Sequence, residues 1–373
     1  MPSSAFVDIE SLVAPIADDN LVGSDIRQDT SPTSIYNSIK DARSAARAAE
    51  RHSMFDEDSN EAMTHWHKIL ELAPDILKNH AKDLEVASWY TEALIRRAGF
   101  QGLRDGFNII HQLIDKYWDN VYPLPDEEDG IETRVASLSG LNGEGAEGVL
   151  IAPIRNVTIT EGSDPGPFSF WQYKQALDIQ KIADDNTRQK KASKIGYTIE
   201  DIENAVANSS EEFFVNLRDD ISTSINEYRQ ISSMLDQLCG THEAPPTSNI
   251  INTLEDALSV IKHIARFKLP VESSNEEDIG DMDSEGNVIQ EGANGVATIL
   301  PGAIKTRTDA FRHLNNISEF FRKTEPHSPI SYIIDKAVRW GDMDLNELMK
   351  ELIPDSSSRD YYSSLTGVKN DDE

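Results

Sequence analysis

Four places in the sequence bring together side chains whose types suit chemistry. His65-Trp66-His67 offers two imidazoles, the commonest metal-binding side chain. At positions i and i+2 of a helix they leave on different faces, so they do not close on one ion. Cys239 stands beside Gly240 with His242 close by, the raw material of a nucleophilic thiolate. The segment supplies neither oxyanion donors nor a third residue to orient the base, so the thiol is read as structural. Asp126-Glu127-Glu128-Asp129 concentrates carboxylates that suit a hard cation. It lacks the alternating Asp/Asn order and closing Glu of a calcium loop, and is read as a solvated acidic turn. The run GLNGEGAEG at 140–148 is glycine-rich, but it has no lysine and matches neither a phosphate loop nor a dinucleotide fingerprint. No Ser, His and Asp arrangement stands out. The residues therefore predict no catalytic group, no metal and no cofactor, and point to an interaction or assembly protein.

Charge narrows the partners. Asp and Glu number 65 against 35 Lys and Arg, a net charge of −30. A field of that sign repels phosphate backbones and anionic lipid, which argues against nucleic acid and membrane surfaces. The basic clusters are small, as in the stretch from Arg188 to Lys191. One cysteine excludes an intrachain disulfide and fits a reducing compartment. The start, MPSSAFVDIESLVAPI, has no basic and apolar signal regions, and no window approaches the ~20 apolar residues of a membrane span. A cytoplasmic protein is expected.

The elements that would position any site are helical, and the 373 residues suggest two or three domains. Residues 1–33 are expected to form an extended or loosely coiled lead-in, followed by a helix over 34–52. Trp66, Ile69, Leu70 and Ala73 mark a second helix that Pro74 interrupts or ends. Residues 83–98 carry two apolar stripes, Leu84, Ala87, Leu94, Ile95 and Val86, Trp89, Tyr90, Ala93. A helix apolar on two sides is central to its domain. The turn GFQG and a helix over 103–118 then make an antiparallel hairpin. A helical domain is expected over 1–180, a polar, basic-leaning junction over 181–193, and a middle helical region over 195–268. In the latter, Phe213 to Leu238 keep helical spacing for seven turns, and a second helix spans 248–266.

Residues 271–303 contain no Lys or Arg and are expected to be a flexible acidic linker. Beyond it lies a small helical unit, 304–373. Pro326 precedes Ser328, a capping residue, and Pro329 suits the first helical position. Ile330, Ile333, Ile334, Ala337 and Val338 then share one face, and Gly341 is expected to end the helix. A unit this small supplies only ~3–5 kcal/mol from its own core, so packing against copies of itself is the natural remedy. The predicted oligomer interface is this stripe with Pro326, Ser328, Pro329 and Trp340. The fold class predicted is all-α.

Three segments carry a resemblance: APIADDNLVGSDIRQD at 14–29, the stretch 82–129 that opens KDLEVASWYTEAL, and GPFSFWQYKQA at 166–176. Within them stand Lys82, Asp83, Leu84, Trp89, Glu92, Leu94, Gly99, Phe100, Gly102, Leu103, Tyr117, Trp118, Tyr122 and Pro123. The N-terminal half resembles the ImpA N-terminal domain of TssA proteins, components of bacterial type VI secretion systems. The tail, with Glu325-Pro326, Ser328-Pro329 and Arg339-Trp340, looks like the C-terminal segment of short TssA proteins. Residues 181–303 match no motif of the family. The resemblance implies a non-enzymatic scaffold that forms a homo-oligomeric ring through its C-terminal domain. It also implies contacts with baseplate, tube and sheath proteins, and a part in priming or capping sheath assembly. The tail lacks the hydrophobic extension of longer relatives, so no membrane anchoring is expected. Trp89, Tyr117 and Trp118 lie within strongly periodic helices and are assigned mostly to the core. Two other readings remain: a low-stoichiometry adaptor or chaperone for one secretion component, and an enzyme with an unrecognised site in 1–180.

Overall fold

The computed structural model describes residues 2–53, 60–240, 243–270 and 329–343, with isolated positions between 311 and 355. The linker expected at 271–303 lies outside the described residues, as do Pro326 and Ser328. The chain divides into two compact units, Met1–Glu276 and Glu277–Glu373. All regular elements among the described residues are helices, with only isolated β-bridges between loops. No described helix is long and apolar enough to cross a membrane.

The first unit is built on α4, Leu84–Tyr117, which reverses direction in its middle. Asp83 caps its start, its Oδ1 accepting from the amides of Glu85 (2.9 Å) and Val86 (3.0 Å). At Ala98 and Gly99 the backbone leaves the helix; Gly99 has φ +57° and ψ −137°, a conformation open to glycine alone at little cost. The two arms then run antiparallel at close range. A Cβ on Gly102 would stand 2.2 Å from the Leu94 carbonyl oxygen, and one on Gly106 would stand 2.6 Å from Thr91 Oγ1. The hairpin expected from the sequence is therefore present, closed more tightly than a four-residue turn suggests.

Around this hairpin stand α1 (Ile9–Val13), α2 (Ile35–Ser53), α3 (Asn60–Asp75), α5 (Ile131–Asn142), α6 (Ile151–Asn156) and α7 (Phe170–Gln180). Pro74 does not stop α3, which runs to Asp75 and into a wider turn, Ile76–His80. The lead-in 1–33 is not loose. Leu12, Val13, Val22 and Ile26 are buried, and backbone bonds join Lys82 to Val22 and Ser24 to His80. The apolar residues scattered among Pro, Gly and Asp there are anchors, without the period that would reveal them.

The junction expected at 181–193 is largely a helix, α8 (Asp185–Ile195), none of whose residues is buried. Asp184 caps it and Gly196, at φ +81°, ends it. Then follow α9 (Ile199–Asn208), α10 (Glu211–Cys239) and α11 (Ser248–Ile264). The structure does not separate 195–268 from 1–180. α10 packs along α4, with Phe107 and Tyr228 rings 4.6 Å apart, and α11 packs on α10. The apolar stripe of α10 is buried from Phe214 through Leu235 against the same core. Periodicity located these helices; it carries no information on which core receives them.

In the second unit, α12 spans Ile330–Asp342 with Pro329 at its N-cap. Gly341 lies inside the helix and does not end it. A Cβ there would meet the Phe311 ring at 2.1 Å, so this glycine makes room for a neighbour's ring.

Gly102→Ala is expected to lower unfolding stability by about 2–3 kcal/mol, because backbone on both arms must move apart. Gly140→Ala, on α5 with open space at its Cβ, is expected to be neutral or stabilising by up to about 1 kcal/mol. Urea unfolding of the two variants checks both values.

Candidate functional site

Lys82, Asp83, Tyr117 and Tyr122, among the residues singled out at 82–123, tie down the start of α4. Lys82 is fully buried, and its Nζ donates to the carbonyls of Leu12 (2.8 Å) and Leu77 (2.5 Å). Asp83 caps α4 and also accepts from Arg27, at 2.6 Å from Nη1 and 3.3 Å from Nη2. Arg27 Nη2 reaches Glu85 Oε2 at 2.5 Å, and Tyr36 donates to the same oxygen at 3.1 Å. Burial works against the Arg27 charge; Asp83 and Glu85 outweigh it and hold the guanidinium above its usual range. Leu84, Trp89, Leu94, Phe100 and Tyr117 are buried. Trp89 stacks on Tyr36 with centroids 5.9 Å apart, and Tyr117 donates to the Val13 carbonyl at 2.8 Å. Trp118 is half-buried beneath the Arg134 guanidinium, 5.1 Å from its ring, and Pro123 follows a cis peptide bond.

Glu92 is buried, with Oε1 accepting from Arg43 Nε at 2.7 Å. Next to it Arg96 makes a two-pronged contact to Glu50, at 2.5 and 3.0 Å, and Trp66 Nε1 donates to Glu50 at 2.7 Å. Trp66 thus sits in the core, and its two histidine neighbours are partly exposed. No group of three or more metal-binding side chains occurs among the described residues.

A third buried charge cluster went unnoticed in the sequence. Arg104 uses all five of its N–H donors: on Asp105 twice, on Asp220 at 2.5 Å, and on the carbonyls of Ser3 and Ser4. Asp105 also accepts from the Phe6 amide at 2.5 Å, and Asp220 accepts from the Ser3 hydroxyl at 2.6 Å. Three distant segments are joined here: the N-terminus, α4 and α10. The only sequence signal was a charged pair at the centre of an apolar helix, where burial demands partners.

These carboxylates and cations pair with one another, apart from Glu92 Oε2, which is buried without a hydrogen-bond partner. Asp126 closes its own turn, accepting from the amides of Glu128 (3.1 Å) and Asp129 (2.6 Å), and from the Thr133 hydroxyl. The bond from the Asp129 amide is the main cause holding its pKa below the usual value. Burial pushes the Cys239 thiol up, away from a nucleophilic thiolate.

α12 is different, because its apolar stripe is divided. Ser331 is buried and Ile334 and Val338 are half-buried. On that side the Ser318 hydroxyl donates to the Ser331 carbonyl at 3.0 Å and to Asp335, which also pairs with Arg322. Ile330, Ile333 and Ala337 stand exposed at i, i+3 and i+7, with Ile333 at 64% and Ile330 at 40%. Tyr332, at 64%, widens that open edge. Trp340 is half-buried beneath Lys336, whose Nζ lies 5.0 Å from the ring.

The described residues form an all-α unit tied at the Lys82–Asp83 step and a second, small helical unit with an open apolar edge on α12. Residues 13–143 match the family model described as ImpA, N-terminal, type VI secretion system. The chain is 23% identical over 373 residues to type VI secretion system component TssA1 of Pseudomonas aeruginosa, covering 98% of this chain and 100% of that protein. In structure it resembles the N-terminal domain, including the conserved ImpA_N region, of the TssA component from Burkholderia cenocepacia. That likeness has a TM-score of 0.57 at 23% identity, covering 72% of this chain and 98% of the other. The chain thus resembles ImpA N-terminal regions over residues 13–143 and TssA1 along its length, in agreement with the resemblance read from its motifs.

Burial pushes the Lys82 ammonium down to about 8 from its usual 10.5. Between those values the unfolded chain binds more protons, so this group makes stability rise with pH through that window. The stability of the wild type relative to Lys82→Met is expected to grow from pH 8 to pH 10.5 in paired denaturation curves. A difference that stays flat would contradict this.

Proposed function

We propose that this chain is a non-enzymatic structural component of a type VI secretion system, working on the cytoplasmic side of the apparatus. Copies join through the open edge of α12 into a homo-oligomeric ring. The larger unit then presents itself in several copies to baseplate, tube and sheath proteins, and helps prime or cap sheath assembly. The observation that carries this reading is Ile333, exposed with Tyr332 and Ala337 beside it on a helix whose other side is bonded to Ser318. Covering Ile333 contributes roughly 1.5–3 kcal/mol. That is modest for one contact, but repeated around a closed ring it is enough to hold subunits together. Multivalent display then raises apparent affinity for a symmetric target with no need for strong single contacts. The match to TssA1, itself a secretion-system component, covers 98% of this chain at 23% identity and supports the same assignment.

Ile333→Asp puts a charge on the open edge and leaves the Ser318–Asp335 side untouched. In the source bacterium it is expected to abolish release of tube protein into the medium. The purified variant should melt like the wild type in its larger unit. Secretion at the wild-type level would contradict the reading. Lys181→Glu, on an exposed turn of the larger unit, serves as the neutral control.

A further inference from the structure

Residues 2–7 form neither helix nor strand, yet side chains of α4 and α10 hold them in place. Gln101, Arg104 and Asp105 stand at i, i+3 and i+4 on the second arm of α4, and Asp220 meets them from α10. These four side chains engage the main chain that passes over them. Asp220 accepts from the Ser3 amide at 3.0 Å, and Asp105 Oδ2 accepts from the amides of Phe6 (2.5 Å) and Val7 (3.3 Å). Arg104 donates to the carbonyls of Ser3 (2.7 Å) and Ser4 (3.0 Å), and Gln101 donates to the Ser4 carbonyl at 2.9 Å. The segment adds one side-chain bond of its own to this set, from the Ser3 hydroxyl to Asp220 at 2.6 Å.

The attachment is separable from the core beneath it. Pro2, Ser4, Ala5 and Phe6 are exposed, so the segment buries little apolar surface. Arg104 keeps Asp105 and Asp220 when the segment leaves, so no charge is stranded. Ser3 and Asp220 also line a cavity of about 1120 Å³, through which water reaches the carboxylates that the amides would leave.

We propose that Gln101, Arg104, Asp105 and Asp220 form a binding cradle for an extended peptide, and that residues 2–7 occupy it as a releasable strap. Recognition is of amides and carbonyls at fixed spacing, as when a strand joins a sheet edge, with side chains in place of the edge. Closed, the strap fastens α4 to α10. Open, it leaves a site that takes an extended peptide by its main chain. The cradle lies wholly within the first unit, so it operates whether or not α12 joins copies.

Two measurements on the full-length protein test this. In hydrogen exchange of the wild type, the amides of Ser3, Phe6 and Val7 are expected to exchange about a hundredfold faster than those of Ile109 and Ile110, yet more slowly than in a free peptide. Rates equal to the helix would overturn release, and rates equal to the free peptide would overturn occupancy. The second measurement is the anisotropy of a fluorescein-labelled peptide of residues 2–8, PSSAFVD. A Ser3→Pro, Phe6→Pro variant lacks amides that Asp220 and Asp105 hold, so its cradle is open. It is expected to bind the peptide about tenfold more tightly than the wild type, whose own strap competes. Asp220→Asn added to that variant should weaken binding about tenfold, the scale of one charge-assisted contact. A Phe6→Pro peptide should not bind, and a Phe6→Tyr peptide should bind within about twofold, because the main chain is what the cradle holds. No binding by the open variant, or equal binding by the wild type, overturns the proposal. The exchange measurement decides independently of whether the variant folds.

Discussion

The close contact between the two arms of α4 is the constraint on which the larger unit depends. At the crossing Gly102 brings backbone against the Leu94 carbonyl and Gly106 admits the Thr91 side chain, and the apolar side chains on either arm turn outward into the surrounding helices. Both arms are therefore apolar around most of their circumference. That explains why α3, α5 and α10 each find a surface to cover. Gly99 permits the reversal, and the Lys82–Asp83 step fixes where the first arm begins. A wider separation would open voids under Phe107, Tyr228 and Phe214 together.

Charge does a second structural job. A strongly acidic chain keeps its surface in solution and spends many of its arginines inside. Arg27, Arg96 and Arg104 each tie together segments far apart in sequence. Buried ion pairs add little net stability compared with apolar packing, but removing one partner is costly, so they reject alternative arrangements. Asp83, Glu85, Asp105 and Asp220 are committed to guanidinium groups or a helix start.

Much of this was legible in the sequence. The 3.6-residue period gave α10 and α11 nearly to the residue, and the doubled stripe of 83–98 marked the central helix. Motif residues such as Asp83, Trp89 and Gly102 could be named, but their jobs could not. A glycine reads alike as a turn, a cap or a close approach, and Gly341 was misread for that reason. The buried lead-in was hidden because its anchors have no period. The docking of 195–268 on 1–180 was hidden because stripes show that a face is buried, not what covers it. The stripe of α12 read as one face, yet Ser331, a polar residue inside the pattern, marks its inward side, and two of the isoleucines mark the outward one.

In the proposed scaffold, the N-terminal unit serves presentation and the exposed apolar edge of α12 serves assembly. The 23% identity to TssA1 over the full length fits that division. The most direct measurement is the native mass of the intact protein at micromolar concentration. A discrete oligomer of several chains, each of 41.6 kDa, is predicted. A single 41.6 kDa species at that concentration would contradict it.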